Sequence, residues 1–461
     1  MNMVFNSIDF LIFFLVFYPI FLLWPSKTKW AWLLISSWFF YFTFKPEYLL
    51  ILIGLTAVDF FCGKGIVISD GRPKTFFLIF SLAANIGTLV VFKYLGLFGQ
   101  LWEAASGNNP FAALLFTVPI GISFHTFQGM AYVIDLYRGK IIPERNFGIF
   151  ALFIGIFPQL MAGPIERAQH LIPQLTRRFS LAAIPFREAL LLILAGYIKK
   201  LVIADSLGVV VDPIYQNPQN FNGLTLIVAT VFFGFQLYCD FSGYIDIARG
   251  LGKLLGIDFV SNFKKPYFSA NITEFWRRWH ISLSEWVRDY LYISLGGNRF
   301  GKLRQYLNLV ITMAIMGLWH GSSFQFALWG FYHGLLLVFH KIFSTVKIKI
   351  PTVVGIILTF ISVNLGWVFF RSQNAGQAWL ILKTIFGPSL AHPLQYQLGM
   401  VFGAILIVTL VILEALDLKW RLKDKIISVH SLAFGAICAI LFHFLVLFGA
   451  HQPIQFIYFQ F

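Results

Sequence analysis

In this chain of 461 residues only 12% are charged and 58% are hydrophobic, a charged share about half that of soluble domains. Fifty-four Phe and thirteen Trp leave too little polar surface to face water, which excludes a soluble globular enzyme and points to a chain solvated by lipid. Lys and Arg exceed Asp and Glu by 35 − 20 = 15, an excess read as the basic cytoplasmic loops of a polytopic protein among membrane lipids, with no nucleic-acid surface.

The first apolar run, Phe10 to Trp24, has no basic region before it and no cleavage pattern, so it is expected to remain as a first span. Crossing the hydrocarbon core takes roughly 20 apolar residues. Windows near 5–24, 30–44, 47–62, 75–98, 111–134, 147–163, 186–210 and 222–244 meet or approach that length. A second group lies near 305–320, 323–341, 351–370, 397–416 and 430–450. Together they predict about 11 to 13 membrane segments, some short or re-entrant. Lys27 and Lys29, Gly71-Arg72-Pro73-Lys74, and Lys419, Arg421, Lys423 and Lys425 mark cytoplasmic turns, which puts the N-terminus on the periplasmic or extracellular side. Cys62, Cys239 and Cys438 are far apart in apolar surroundings and read as small buried hydrophobes.

Residues 249–304 break the pattern, with ten Lys/Arg against four acids among Trp276, Trp279, Trp286, Tyr290 and Tyr292. A simple span cannot carry that charge, and these aromatics are those of an interfacial belt, so the segment reads as amphipathic and re-entrant helices on the cytoplasmic side. Phe275, Trp279, Ser282 and Trp286 recur at spacings of three or four, which predicts a helix ended by the turn Gly296-Gly297-Asn298. No repeat or low-complexity linker divides the chain. A single membrane domain over 1–461 is expected, with N-terminal helices in 1–235, a core in 236–340 and C-terminal helices in 341–461.

His320 follows the apolar run Leu307 to Trp319. An ionisable ring in or at the end of a membrane helix is a functional hypothesis by default, because its desolvation must be compensated; the competing reading is a neutral ring hydrogen-bonded to a neighbouring helix. His280, in Trp276-Arg277-Arg278-Trp279-His280, comes forty residues earlier and meets His320 only if the chain folds back; alone it reads as an interfacial residue. His125 and His333 read as packing or cavity residues. His170, His340, His392, His430, His443 and His451 have no metal spacing, and no metal site is expected. Neither a phosphate loop nor a nucleophile elbow occurs. Asp240, Asp246, Glu274, Glu285 and Asp289 are expected to pair locally with Arg249, Arg277, Arg278 or Arg288. Asp240 stands out because it ends an apolar run before Phe241-Ser242-Gly243-Tyr244.

Taken in order, Asp240 to Tyr244, Asn271 to His280, Arg288-Asp289-Tyr290-Leu291-Tyr292-Ile293, Leu295-Gly296-Gly297-Asn298-Arg299 and Gly317-Leu318-Trp319-His320-Gly321 resemble the membrane-bound O-acyltransferase superfamily, in its bacterial alginate O-acetyltransferase-like branch. Pro119 to Phe124, Tyr137-Arg138-Gly139, Phe157 to Ile165 and the tail Phe456 to Phe461 extend the resemblance over nearly the whole chain. It implies an all-α polytopic fold, a ring of tilted transmembrane and re-entrant helices around a central funnel. The family's essential histidine falls on His320 and its second signature residue on His280.

The resemblance further implies a cytoplasmic thioester donor, with acetyl-CoA or another acyl carrier as co-substrate and no bound cofactor. The acetyl group would cross the inner membrane for O-acetylation of an exported polysaccharide (alginate-like, cellulose or peptidoglycan). A periplasmic acetyltransferase of the SGNH serine-hydrolase type, within a polysaccharide-export complex, would be the partner. The donor would meet Lys264, Lys265, Arg277 and Arg278 with Trp276 and Trp279. His320 would be the general base, because a hydroxyl attacks well only when a base with a pKa near the working pH takes its proton. His280, the Trp319 indole or a backbone N–H near Gly321 would stabilise the oxyanion, with Asp240 and Ser282 as further tunnel candidates. Three other readings compete: D-alanyl transfer to teichoic acid from a carrier protein, a transporter or channel, and a catalytically silent scaffold. The Leu295-Gly296-Gly297-Asn298-Arg299 turn and the Trp-Arg-Arg-Trp-His form favour the acetyl branch.

Overall fold

The computed structural model describes residues 3–110, 117–346, 350–450 and 456–457. Among them all regular structure is helical. The first windows become α1 (Ile8–Leu23), α2 (Lys29–Phe42), α3 (Pro46–Ile68) and α4 (Gly71–Leu89), the last running through a π turn (Val90–Tyr94) into α5 (Leu95–Ser106). The Ser7 hydroxyl caps α1 by accepting the Phe10 N–H at 3.1 Å. α6 (Ile122–Tyr137) follows; residues 111–116 of the expected 111–134 window lie outside the described residues. The 147–163 window is cut into α7 (Phe147–Gly155) and α8 (Phe157–Leu160). Pro158 is the cause: it has no N–H to donate and fits only in a first turn, so the helix restarts beside it.

After α9 (Ala168–Thr176), α10 (Phe186–Tyr197) passes through a seven-residue π segment (Ile198–Ala204) into α11 (Asp205–Gln216). α12 (Gly223–Leu254) outruns its 222–244 window, because Tyr244, Ile245, Ile247, Ala248, Leu251 and Leu254 keep an apolar face buried. The basic segment therefore begins inside a helix. It continues as α13 (Ile272–Arg278) and α14 (Ile281–Trp286), which extends as a π segment (Val287–Tyr292), and then turns at Gly296 and Gly297, both in the left-handed region. α15 (Lys302–His320), α16 (Phe324–Phe343), α17 (Thr352–Arg371), α18 (Ala375–Ile385), α19 (Met400–Trp420), α20 (Leu422–Ser428) and α21 (Ser431–Phe448) complete the chain. The short helices α9, α18 and α20 went unread because none is long enough to register as a span.

Among the described residues, seven helical stretches are long and apolar enough to cross a membrane: Pro46–Ile68, Gly71–Gly99, Gly223–Leu254, Phe324–Phe343, Thr352–Arg371, Met400–Trp420 and Ser431–Phe448; α1 is apolar but shorter. The chain is an all-α multi-pass membrane protein. Burial separates two kinds of span. α21 buries only Phe434 and turns Leu432, Ile440, Phe442, Val446 and Leu447 outward, the surface of a helix solvated by lipid. α12 instead carries Gln236, Asp240 and Ser242 inside the protein.

The chain forms two compact units, Met1–Leu190 with Ile247–Val260, and Leu191–Asp246 with Ser261–Phe461. In the first unit α3, α4 and α6 pack around a buried polar knot, where Asp59 accepts from Ser81 Oγ at 2.6 Å and from Asn85 Nδ2 at 2.7 Å. In the second, α15 and α16 form a hairpin whose backbones touch. A Cβ on Gly317 would lie inside the van der Waals radius of the Phe326 carbonyl oxygen, and one on Gly330 would meet that of Met313. Small residues at such a crossing let membrane helices approach closely.

Candidate active site

Every sequence-predicted site residue falls in the second unit. His320 is the last residue of α15; Gly321 is extended, and its N–H returns to the Leu318 carbonyl at 3.2 Å. Gly321 is required by space, since a Cβ there would enter the Phe326 ring. The buried His320 ring lies 4.8 Å from the centroid of Trp319, 5.1 Å from Trp329 and 5.2 Å from Phe370. Trp329 in turn stacks on Trp367 at 5.9 Å, so the imidazole is enclosed by an aromatic shell.

His280 arrives from the basic segment. Asn271 caps α13 by accepting the Glu274 N–H at 2.9 Å, and Glu274 reaches back to the Ala270 N–H at 2.8 Å, a reciprocal N-terminal lock. The helix predicted through Phe275, Trp279, Ser282 and Trp286 does not run on. It breaks at Trp279 and His280, with His280 at φ 43° in the left-handed region, and restarts as α14. The break survives because Asn262 clamps it: its carbonyl accepts the Ile281 N–H at 3.0 Å and its Oδ1 accepts the Ser282 N–H at 3.1 Å. Lys264 N–H to the Arg278 carbonyl, 3.0 Å, ties the other side. The side-chain spacing gave no warning, because a single left-handed residue breaks the helix without changing the spacing of its apolar positions.

The turn delivers His280 to the same indole that His320 touches. Its ring is 6.5 Å from Trp319 and 4.8 Å from Phe241, fully buried. Burial pushes the His280 pKa down to about 3, so the ring is neutral at any physiological pH. Two imidazoles thus meet one Trp within an aromatic wall.

The remaining predicted residues divide. Arg277 and Lys264 are exposed. Arg278 is held by Glu274 one turn earlier and Lys265 by Asp417. Trp276 and Trp279 are buried in the shell, Trp276 against His333 at 5.2 Å and Trp279 against Trp367 at 5.1 Å. Ser282 is buried in the Asn262 clamp.

The expected pairing of acids with nearby arginines holds for Glu274 with Arg278 and for Asp289 with Arg288. It is corrected for the two acids of α12. Asp240 pairs with Lys200 at 2.7 Å and Asp246 with Lys199 at 2.7 Å. Gly243 explains why: without a side chain, it lets the π segment that carries both lysines lie directly against α12. Lys200 also bonds Asp205 at 2.8 Å, and Asp240 Oδ2 accepts the Ile457 N–H at 2.9 Å. Two lysines inside the apolar 186–210 window were the signal that could have found this cluster. Asn262, Trp329, Trp367 and Phe370 carry no comparable mark. His451 and the tail after Ile457 lie outside the described residues.

Residues 145–374, which hold both histidines, match the model of the MBOAT, membrane-bound O-acyltransferase family. A probable alginate O-acetylase, AlgI, of Pseudomonas aeruginosa is 39% identical over 394 residues, 83% of this chain and 75% of that protein. A peptidoglycan O-acetyltransferase of Helicobacter pylori is 34% identical, covering 77% of this chain and 73% of its own length. A teichoic acid D-alanyltransferase of Streptococcus thermophilus is 31% identical over 57% of this chain and 70% of its own.

Proposed function

The chain belongs to the membrane-bound O-acyltransferase family, in its alginate O-acetylase-like branch, and from that premise we propose how this membrane O-acetyltransferase works. It takes acetyl from a cytoplasmic thioester, acetyl-CoA, and passes it across a bacterial inner membrane for O-acetylation of an exported polysaccharide. A periplasmic SGNH-type acetyltransferase completes the transfer. The N-terminus faces the periplasm, and the basic turns face the cytoplasm. The observation that carries the reading is the pair His280 and His320 on one buried indole.

In the reaction the acceptor hydroxyl oxygen attacks the thioester carbonyl carbon while His320 takes the hydroxyl proton. Negative charge gathers on the carbonyl oxygen and is stabilised by an N–H donor, for which His280 and the Trp319 indole are the candidates. The C–S bond then breaks, and the thiol leaves with the proton returned by His320. His320 ends α15, so the negative end of the helix dipole stabilises the positive charge the ring holds in between. The aromatic shell keeps water from the thioester.

Arg277 and Lys264, two of the exposed basic side chains of the segment, meet the anionic carrier. Acetyl is favoured over D-alanyl because the acetylase relatives match more of the chain at higher identity. A transporter reading is separated by the same assay that tests the enzyme. In proteoliposomes, His320→Ala should lower thioester-dependent acetyl transfer by about 10²-fold or more at unchanged protein level. Wild-type rates would refute the role. Arg277→Gln should raise the donor KM several-fold and leave kcat within about twofold.

A further inference from the structure

Within the second unit a cavity of about 310 Å³ is lined by Phe233 and Phe326 together with charged and polar side chains. That volume is at the low end for small-molecule sites. Its cations are already satisfied: Lys200 binds Asp205 and Asp240, and Arg371 binds Asp212 at 2.7 Å. Two cations against three carboxylates leave 2 − 3 = −1 around the space.

Two acceptors in the lining take no hydrogen bond from the protein, Asp205 Oδ2 and Gln236 Oε1. Both residues are buried, 2% and 6% exposed. An unmatched buried acceptor carries an uncompensated desolvation cost, which a donor supplied by a ligand removes. The cavity therefore asks for several donors from a small, uncharged body with faces flat enough to lie on Phe rings. A serine or threonine side chain brings one hydroxyl; a sugar ring brings several, together with C–H faces. A uronate would bring its carboxylate to a net negative wall whose cations are occupied.

We propose that this cavity is a subsite for one neutral sugar residue, with ring hydroxyls donating to Asp205 Oδ2 and Gln236 Oε1 and the ring lying on Phe233 or Phe326. The proposal rests on the acetyl-transfer reading in one respect, the nearness of the reaction centre. Phe326 also packs on Gly321 and stands 5.3 Å from Phe370, which lies 5.2 Å from His320, so two successive rings connect the cavity to the base.

The test is equilibrium binding to the full chain in nanodiscs, made with His320→Ala so that no turnover intervenes. The probes are cellotetraose, tetramannuronate and a triserine peptide. Cellotetraose should bind at least about tenfold more tightly than either alternative, and Gln236→Met should weaken it about tenfold. No cellotetraose binding, equal or tighter binding of the uronate or the peptide, or an unchanged affinity in Gln236→Met would overturn the proposal. The probe comparison needs no Gln236 variant, so a poorly folding Gln236→Met leaves the test intact. Binding is read without the proposed base; its failure leaves acetyl transfer standing, and wild-type turnover in His320→Ala would sink the mechanism without touching the binding result.

Discussion

His280 occupies a backbone conformation that a β-carbon disfavours, at a cost on the order of 1–3 kcal/mol, and such outliers persist only where the surroundings over-determine them. Asn262 does this. Asn262→Ala removes the acceptor of the buried Ser282 N–H, which should cost about 1–3 kcal/mol. It also frees the turn that aims His280, so kcat should fall while the donor KM holds. Asn262→Asp, which keeps Oδ1, should restore most of the loss; a kcat unmoved by Asn262→Ala would remove the clamp from the mechanism. Because His280 titrates near 3 in the fold, it contributes no limb to an activity profile between pH 5 and 8. His280→Gln should lower the rate and leave the shape of that profile alone. Both histidines were legible in the sequence as residues. Their meeting was not, because a left-handed histidine leaves no trace in spacing, and the partner that holds it is an asparagine in an irregular stretch.

At the level of elements, the hairpin of α15 and α16 positions His320 through glycine. Gly317→Ala pushes a methyl into the Phe326 carbonyl and should destabilise the protein by about 1–3 kcal/mol, with a lower Tm in detergent and a loss of transfer. Gly54→Ala is the control: nothing stands within 4 Å of its Cβ in the middle of α3, so it should be neutral or stabilise by about 0.5–1 kcal/mol. Equal effects of the two would mean that the hairpin crossing is not tight. The long spans were readable because lipid demands length and apolarity together. The rest was hidden for local reasons. Pro158 restarts a helix within one apolar run, α12 overruns into charged sequence along a continuous apolar face, and α9 hides its buried Leu171 and Leu175 in nine residues.

For the whole molecule, composition alone gave the membrane class, while part of the pH dependence comes from histidines that composition cannot rank. His280 and His170 act with opposite sign. His280 is depressed below its ordinary 6.5 by burial, so the unfolded chain binds a proton that the fold refuses, and stability falls as pH drops below about 6.5. His170 is raised by its hydrogen bond to Glu166, Nδ1 to Oε2 at 2.7 Å, and Glu166 in turn accepts the Val260 N–H at 2.7 Å. Its contribution is complete below 6.5 and is lost as pH climbs through the raised folded value. The His170 ring is 42% exposed, so solvent screening keeps this term below about 1 kcal/mol. Thermal unfolding in detergent from pH 5 to 9 separates them. His170→Ala should reduce the alkaline decline and leave the acid one, and His280→Gln should reduce the acid decline and leave the alkaline one; an alkaline limb unchanged in His170→Ala would show that the Glu166 bond to Val260 holds that region without help from the imidazole.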